Sequence, residues 1–329
     1  MDLLIPFLVL VFGFIVLVKG ADLFVDGASS IARFFKVSPL IIGLTVVAFG
    51  TSLPEAAVSI TSAIKGVDDV AFGNVVGSNI FNMLPILGIS AMVFPLTVNK
   101  DLLKRDFPIA LLTVLILIPM FFFGGSGNQI TRIEGLIIVL FFIAFLYILF
   151  DHAKKNPHGE ELLLGALETT EVQPEAINVK KNTIITLIGM VGIAGGGLMV
   201  TEGAKDIAIS LGMSEWLVGL TIVSLGTSLP ELVTSIVASM KKQNEIAIGN
   251  IVGSNIFNVL FILGSTAVIS GVSINPQALF DLIFVVGVTV VVFLFAYTSK
   301  RITRLEGLLL FLMYIGYFTY ILLRDLGKL

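Results

Sequence analysis

Apolar residues fill ten stretches of this chain, at 3–34, 39–64, 70–96, 107–124 and 133–150, and again at 183–212, 216–240, 246–271, 278–298 and 305–323. Each is long enough to cross a bilayer as a helix of about 20 residues. The pattern predicts an all-α membrane protein of ten transmembrane helices. The first stretch of each five is unusually long and runs on past an acidic and glycine-containing patch, Asp22, Asp26 and Gly27 in one, Glu202, Gly203 and Asp206 in the other. Each is expected to be one strongly tilted helix, with a helix followed by an interfacial piece as the alternative.

The polar positions within these stretches repeat. Gly50-Thr51-Ser52-Leu53-Pro54-Glu55 returns unchanged as Gly226-Thr227-Ser228-Leu229-Pro230-Glu231, at an offset of 176 residues. Gly73-Asn74-Val75-Val76-Gly77-Ser78-Asn79-Ile80-Phe81-Asn82 returns at the same offset as residues 249–258 with one change. The fifth and tenth stretches echo each other as well, Ile130-Thr131-Arg132-Ile133-Glu134-Gly135 against Ile302-Thr303-Arg304-Leu305-Glu306-Gly307, at an offset of 172. The duplication therefore covers most of the chain and divides it into a repeat at 1–150, a linker at 151–182 and a second repeat at 183–329. Five spans per repeat is an odd number, so the second repeat is expected upside down relative to the first, the inverted-repeat plan of secondary transporters.

Composition agrees with a membrane protein. Of 329 residues 56% are hydrophobic and 13% charged, with a mean hydropathy of +1.03, against a charged fraction near a quarter in soluble domains. A net charge of −3 leaves no nucleic-acid footprint, and the absence of cysteine excludes disulfides and thiolate chemistry. Both histidines, His152 and His158, fall in the linker. Met1-Asp2-Leu3 lacks the basic start of a secretory leader, and the first stretch has a counterpart in the second half, so it reads as a structural span.

Lys and Arg set the expected orientation. With the N-terminus outside, fourteen basic residues gather on the inner side (Arg33, Lys36, Lys100, Lys104, Arg105, Lys154, Lys155, Lys180, Lys181, Lys241, Lys242, Lys300, Arg301 and Arg304) and four on the outer side (Lys65, Arg132, Arg324 and Lys328). Both termini are then outside and the 151–182 linker is cytoplasmic. That linker carries no Asp-x-Asp-x-Asp-Gly calcium loop and reads as a solvated connector.

The repeated blocks carry the chemistry. Pro54 offers no N–H to the Gly50 carbonyl, so the second span is expected to break just before it. The new half-helix would start with Ser52 as N-cap and Glu55 at capping-box spacing. Carbonyls from Ala48 to Thr51, left without helical partners, are tolerated at membrane depth only when buried or lining a cavity, and there they suit a cation. The same holds from Ser224 to Glu231. Ser78 and Asn82 share a helical face, and Gly73 with Gly77 forms a small-residue face for another helix. Glu55 and Glu231 are expected to face each other, giving an all-oxygen site for hard cations. Two carboxylates balance one divalent ion or about two monovalent ones.

Taken singly, each motif has a bland reading: Ser-x-x-Glu as a helix cap, Gly-x-x-x-Gly as packing. Recurrence of both blocks favours the site, because packing alone would accept Ala for Glu. Asp22, Asp26, Glu202 and Asp206 either line an access path or anchor a helix bend. Glu134 and Glu306 read as interfacial anchors paired with Arg132 and Arg304, and Trp216 as an interface aromatic.

On these two motif pairs the chain resembles the sodium/calcium exchanger family of the cation/calcium exchanger superfamily, particularly its prokaryotic members. The resemblance implies an antiporter of a prokaryotic inner membrane, not an enzyme, with no resident cofactor, Ca2+ and Na+ as cargo, the bilayer as its surroundings and no obligatory protein partner. It implies four adjacent mid-membrane cation positions used by alternating access. Glu55, Glu231 and the Thr51 and Thr227 carbonyls match calcium ligands. Ala48, Ser52, Ser78, Ser224, Ser228 and Ser254 match positions flanking them for sodium, and Asn82 and Asn258 match central positions. Some relatives, potassium-dependent ones included, carry aspartate at the place of Asn258, so potassium coupling is not expected. The first and sixth spans match the pair that slides across the core.

The expected activity is electrogenic calcium extrusion driven by sodium. A proton/cation antiporter of the same superfamily is the alternative, disfavoured because such relatives usually read Gly-Asn-x-Pro-Glu. An ion channel is disfavoured by the broken, repeated spans, and an intramembrane enzyme by the lack of His-Glu-x-x-His.

Overall fold

The computed structural model describes residues 3–66, 68–124, 128–155, 178–212 and 224–325. Its helices are α1 (Leu4–Phe34), α2 (Pro39–Thr51), α3 (Leu53–Ile64), α4 (Ala71–Val93), α5 (Leu102–Phe123), α6 (Arg132–Lys155), α7 (Val179–Ser210), α8 (Ser224–Gly226), α9 (Leu229–Met240), α10 (Asn244–Ser270), α11 (Ala278–Ser299) and α12 (Arg304–Asp325). Among the described residues, eight of these are long and apolar enough to cross a membrane, and α2 with α3, bent by 49°, makes a ninth. The chain is a multi-pass, all-helical membrane protein. The expected span at 216–240 is described only from Ser224 onward, and Trp216 lies outside the described residues. The fourth span begins earlier than hydropathy suggests, at Leu102, and α6 runs on to Lys155. His152 therefore sits on α6 instead of in a linker, with Nε2 2.9 Å from Asp101 Oδ2. His158 lies outside the described residues.

Both long stretches are single helices, as expected. They pack against each other more extensively than any other pair, and glycine explains the closeness. A Cβ added to Gly20 would stand 2.7 Å from the Gly192 carbonyl carbon, and one on Gly189 would stand 2.6 Å from the Phe24 nitrogen. Gly13 meets Met199 and Val200, and Gly27 meets Thr186, so the contact descends one helix as it climbs the other and the pair is antiparallel. Gly196 sits against the Leu17 backbone in the same seam. Gly196→Val is expected to force the helices apart and lower thermal stability by about 1–3 kcal/mol, read as the unfolding midpoint of purified protein.

Two short antiparallel ladders tie the ends together. β1 (Leu96–Thr97) pairs with β4 (Arg301–Ile302), and β2 (Gln129–Ile130) pairs with β3 (Val272–Ser273). At the repeat offsets β1 corresponds to β3 and β2 to β4, so each ladder joins one strand from each half and the partners are exchanged. The backbone repeats where the side chains do not. Left-handed turns fall at Lys36 and Gly212, at Gly66 and Lys242, and at Asn128 and Lys300, each pair being equivalent positions.

The core holds α10, whose residues Ile246 to Phe257 are all buried. Gly249 and Gly253 let it cross α2 closely, with added Cβ atoms 2.9 Å from the Leu40 carbonyl oxygen and 2.7 Å from Leu44 Cα. The equivalent partner stretch for Gly73 and Gly77, at 216–220, lies outside the described residues. Glu245, at the start of α10, fixes this crossing at its end. Its carboxylate accepts from Ser38 Oγ at 2.9 Å, the Leu40 N–H at 3.2 Å and Asn99 Nδ2 at 3.0 Å.

Glu134 and Glu306 are helix caps and not partners of Arg132 and Arg304. The Glu134 carboxylate accepts from the Thr131 N–H and Oγ1, both at 2.8 Å, while the Glu134 N–H reaches Thr131 Oγ1 at 3.3 Å. Thr303 and Glu306 make the same three contacts. Both are capping boxes. Thr131→Ala is expected to lower stability by about 1 kcal/mol without altering ion flux, measured on the same preparation.

Candidate cation site

The two proline breaks bring their glutamates to one place. Pro54 and Pro230 each stand at the second position of a half-helix. The hydrogen bonds described across the first break run from the Ser52 N–H to the Ala48 carbonyl and from the Ala56 N–H to Ser52. Across the second they run from the Ser228 N–H to Leu225 and from the Leu232 N–H to Ser228. The Gly50 and Gly226 carbonyls lose their usual donors, because the residues four further on are prolines.

The expected capping boxes do not form at these breaks. Ser52 and Ser228 are N-caps without side-chain capping bonds. Each hydroxyl crosses to the other half of the chain: Ser52 Oγ donates to Glu231 Oε1 at 2.8 Å, and Ser228 Oγ donates to Glu55 Oε1 at 2.9 Å. The reason is local: the Ser52 and Ser228 N–H groups are already used by the preceding half-helix, so neither needs its own glutamate. Ser78 Oγ lies 3.3 Å from Ser228 Oγ.

Each carboxylate keeps a second oxygen. Glu55 and Glu231 are 1% exposed, and the Oε2 atom of each is buried without a hydrogen-bond partner. Asn82 Oδ1, Asn258 Oδ1 and Ser254 Oγ are buried and unpartnered in the same way. Buried acceptors without donors are costly. Here they are carboxylate, amide and hydroxyl oxygens, a donor set that fits a hard cation, and the exchanged serine bonds lock the two glutamates into one assembly.

Four asparagines hold the amides in place. Asn82 Nδ2 donates to Asn255 Oδ1 at 2.9 Å and Asn258 Nδ2 to Asn79 Oδ1 at 3.0 Å. Asn79 Nδ2 and Asn255 Nδ2 donate to each other's carbonyls, at 3.2 and 3.3 Å. With their NH2 groups engaged, Asn82 and Asn258 are left with free Oδ1 atoms. A second pair braces the glutamate helices: Asn74 Nδ2 reaches Ser59 Oγ at 2.9 Å and the Glu55 carbonyl at 3.3 Å, and Asn250 Nδ2 reaches Ser235 Oγ at 3.0 Å and the Glu231 carbonyl at 3.5 Å. Asn74, Asn79, Asn250 and Asn255 were not singled out by motif reasoning. Their signal was present, since all four sit at identical places in the two repeats.

Of the other candidates, Ala48 and Thr51 are fully buried on α2. The Thr51 hydroxyl lies 3.0 Å from Asn250 Oδ1. Thr227 is half-buried. Ser224 opens α8, and its side chain lies outside what the structure describes. The helices widen to π geometry from Asn82 to Ile86 and from Asn258 to Leu263, a distortion common at functional sites that the sequence pattern did not reveal. The four acidic residues of the long helices stay outside this centre. Asp22 and Asp26 pair with Lys241, Glu202 pairs with Lys205, and Asp206 is exposed.

The comparisons with known proteins point to one family. A family model described as sodium/calcium exchanger protein matches residues 5–150 and 181–323, leaving out the linker. An inner membrane protein of Escherichia coli, YrbG, is 38% identical over 82% of this chain and 81% of its own length. The sodium/calcium exchanger MaX1 of Methanosarcina acetivorans is 32% identical over 95% of this chain and 97% of its own. Among solved structures, the sodium-calcium exchanger NCX_Mj superposes with a TM-score of 0.82 at 29% identity, over 96% of this chain and 99% of that one. The family match spans both halves, and both carry the proline-broken glutamate motif that builds the centre. This chain belongs to the sodium/calcium exchanger family.

Proposed function

We propose that this protein is an electrogenic antiporter that extrudes Ca2+ by letting Na+ in, through alternating access to one central site. The observation that carries this reading is the pair of buried glutamates, each bonded by the other half's serine and each keeping one unpartnered oxygen among neutral oxygens. Two carboxylates neutralise one Ca2+. With three Na+ returning, one net charge crosses per cycle, worth about 2.3 kcal/mol per 100 mV. The ligands are Glu55 and Glu231 with the Thr51 and Thr227 carbonyls for Ca2+. Ala48, Ser52, Ser78, Ser224, Ser228 and Ser254 flank them for Na+, with Asn82 and Asn258 at the centre.

The architecture follows as ten spans in two inverted repeats, 1–150 and 183–329. The antiparallel α1 and α7, and the exchanged pairing of the four strands, support inversion. The positive-inside count supports an inner-membrane placement with both termini outside and a cytoplasmic 151–182 linker.

Calcium uptake into sodium-loaded proteoliposomes tests the reading. Uptake is expected to follow the outward sodium gradient and to respond to membrane potential. Uptake that ignores sodium and follows a pH gradient overturns it in favour of a proton/cation antiporter, and single-channel currents without counter-ion coupling overturn it in favour of a channel.

A further inference from the structure

Lys241, at the end of α9, ties the site-bearing helix to α1. Its Nζ lies 2.6 Å from Asp22 Oδ1, 2.6 Å from Asp26 Oδ1 and 3.0 Å from the Asp22 carbonyl. It stands ten residues beyond Glu231, about 15 Å along the helix. The repeat places an equivalent lysine, Lys65, ten residues beyond Glu55 at the end of α3, and an equivalent acid of Asp26, Glu202, on α7. This second set is not joined. Glu202 contacts its own helix neighbour Lys205 at 3.3 Å, while Lys65 is exposed and has no ion pair among the described residues. The packing differs in the same sense: α1 lies along α9, and α7 makes no comparable contact with α3.

We propose that Lys241 with Asp22 and Asp26, and Lys65 with Glu202, are two latches made alternately. The structure holds the Lys241 latch closed and the Lys65 latch open. In the opposite state Lys65 takes Glu202, and Lys241 is released. This rests on the alternating-access reading. The glycine seam makes α1 and α7 one body, and the repeat exchanges α1 on α9 for α7 on α3. Closing one end therefore opens the other. Half-exposed ion pairs are weak enough to bias such an equilibrium without trapping it. The two latches are unequal, since the Asp22 position is Leu198 on α7 and Lys205 competes for Glu202.

The absence of cysteine makes the test direct. Spin-label pairs at Phe35→Cys with Met240→Cys, and at Ile64→Cys with Leu211→Cys, report the two ends, and all four positions are exposed. In sodium-containing lipid vesicles, Lys241→Met is expected to lengthen the 35–240 distance and shorten the 64–211 distance, changing the population ratio about fivefold. Lys65→Met should shift both distances the other way. Lys241→Asp combined with Asp26→Lys should restore the original distribution, and Asp22→Asn with Asp26→Asn should reproduce Lys241→Met. Unchanged distributions, or both lysine variants moving the same way, overturn the latches. Sodium-driven calcium flux of the unsubstituted protein judges the exchange reading separately: flux with unmoved distances sinks the latches alone.

Discussion

Glu55→Gln and Glu231→Gln are each expected to abolish sodium-driven calcium uptake, lowering it at least about 100-fold. Each glutamine keeps the size and the oxygen that accepts from the opposite serine, at 2.9 Å from Ser228 or 2.8 Å from Ser52. What it removes is one of the two negative charges of the proposed calcium site. Removing one partner of a buried charge pair costs roughly 3–5 kcal/mol, which is two decades or more at about 1.4 kcal/mol per decade. The ion-free protein should respond in the opposite sense. Two desolvated carboxylates in one centre repel, so either variant is expected to melt higher than the native chain without ions, by about 1–3 kcal/mol of stability. Calcium at 100 times its dissociation constant should stabilise the native chain by about 2.7 kcal/mol and the variants hardly at all. Thermal unfolding with and without calcium separates loss of the site from loss of the fold. A variant that stays calcium-stabilised and keeps sodium-driven uptake would remove the two glutamates from the centre.

The second large effect belongs to residues that contact no ion in the proposed site. Asn79→Ala leaves Asn258 Nδ2 and the Asn255 carbonyl without their 3.0 and 3.2 Å partners, and Asn255→Ala does the same to Asn82 and Asn79. Each stranded buried group costs about 1–3 kcal/mol, so either variant, which strands two, should lose roughly 2–6 kcal/mol of stability. The freed amide of Asn82 or Asn258 no longer has its oxygen fixed, and uptake should fall about 10–100-fold, the scale seen when the outer partners of metal ligands are lost. The two substitutions break different bonds, but the four asparagines form one connected network, so the double variant should depart from the sum of the single losses. Additive losses would show the two pairs to be independent and the network reading wrong.

Much of the fold was legible beforehand because membrane burial writes itself into hydropathy. The described spans come from stretches whose length the bilayer dictates. The glutamates, serines and asparagines were legible because two copies of one message cannot both be accidents of packing. The π-helical openings at Asn82 and Asn258 were not legible, since nothing in local spacing marks a widened turn. The roles of Asn79 and Asn255 were hidden too, because each spends its side chain on a residue from the other half of the chain.

The Ser/Thr-x-x-Glu pattern, present four times, shows where the boundary falls. By itself the sequence determined that each occurrence starts a helix, and at all four it does. It predicted a capping box at Ser52 and Ser228 and interfacial anchors paired with Arg132 and Arg304 at Glu134 and Glu306, and the tertiary structure places the capping boxes at the second pair instead. Thr131 and Thr303 follow short strands, so their N–H groups have no helical carbonyl behind them and take their own glutamates. Ser52 and Ser228 follow half-helices that already use those N–H groups. Their hydroxyls are left to reach, across an interface of residues more than 170 positions apart in the chain, the glutamate of the other half. A local pattern specifies which groups are available three residues away. Which charged acceptor stands opposite depends on how two distant segments pack, and that decides whether a glutamate caps its own helix or takes the serine of the other half.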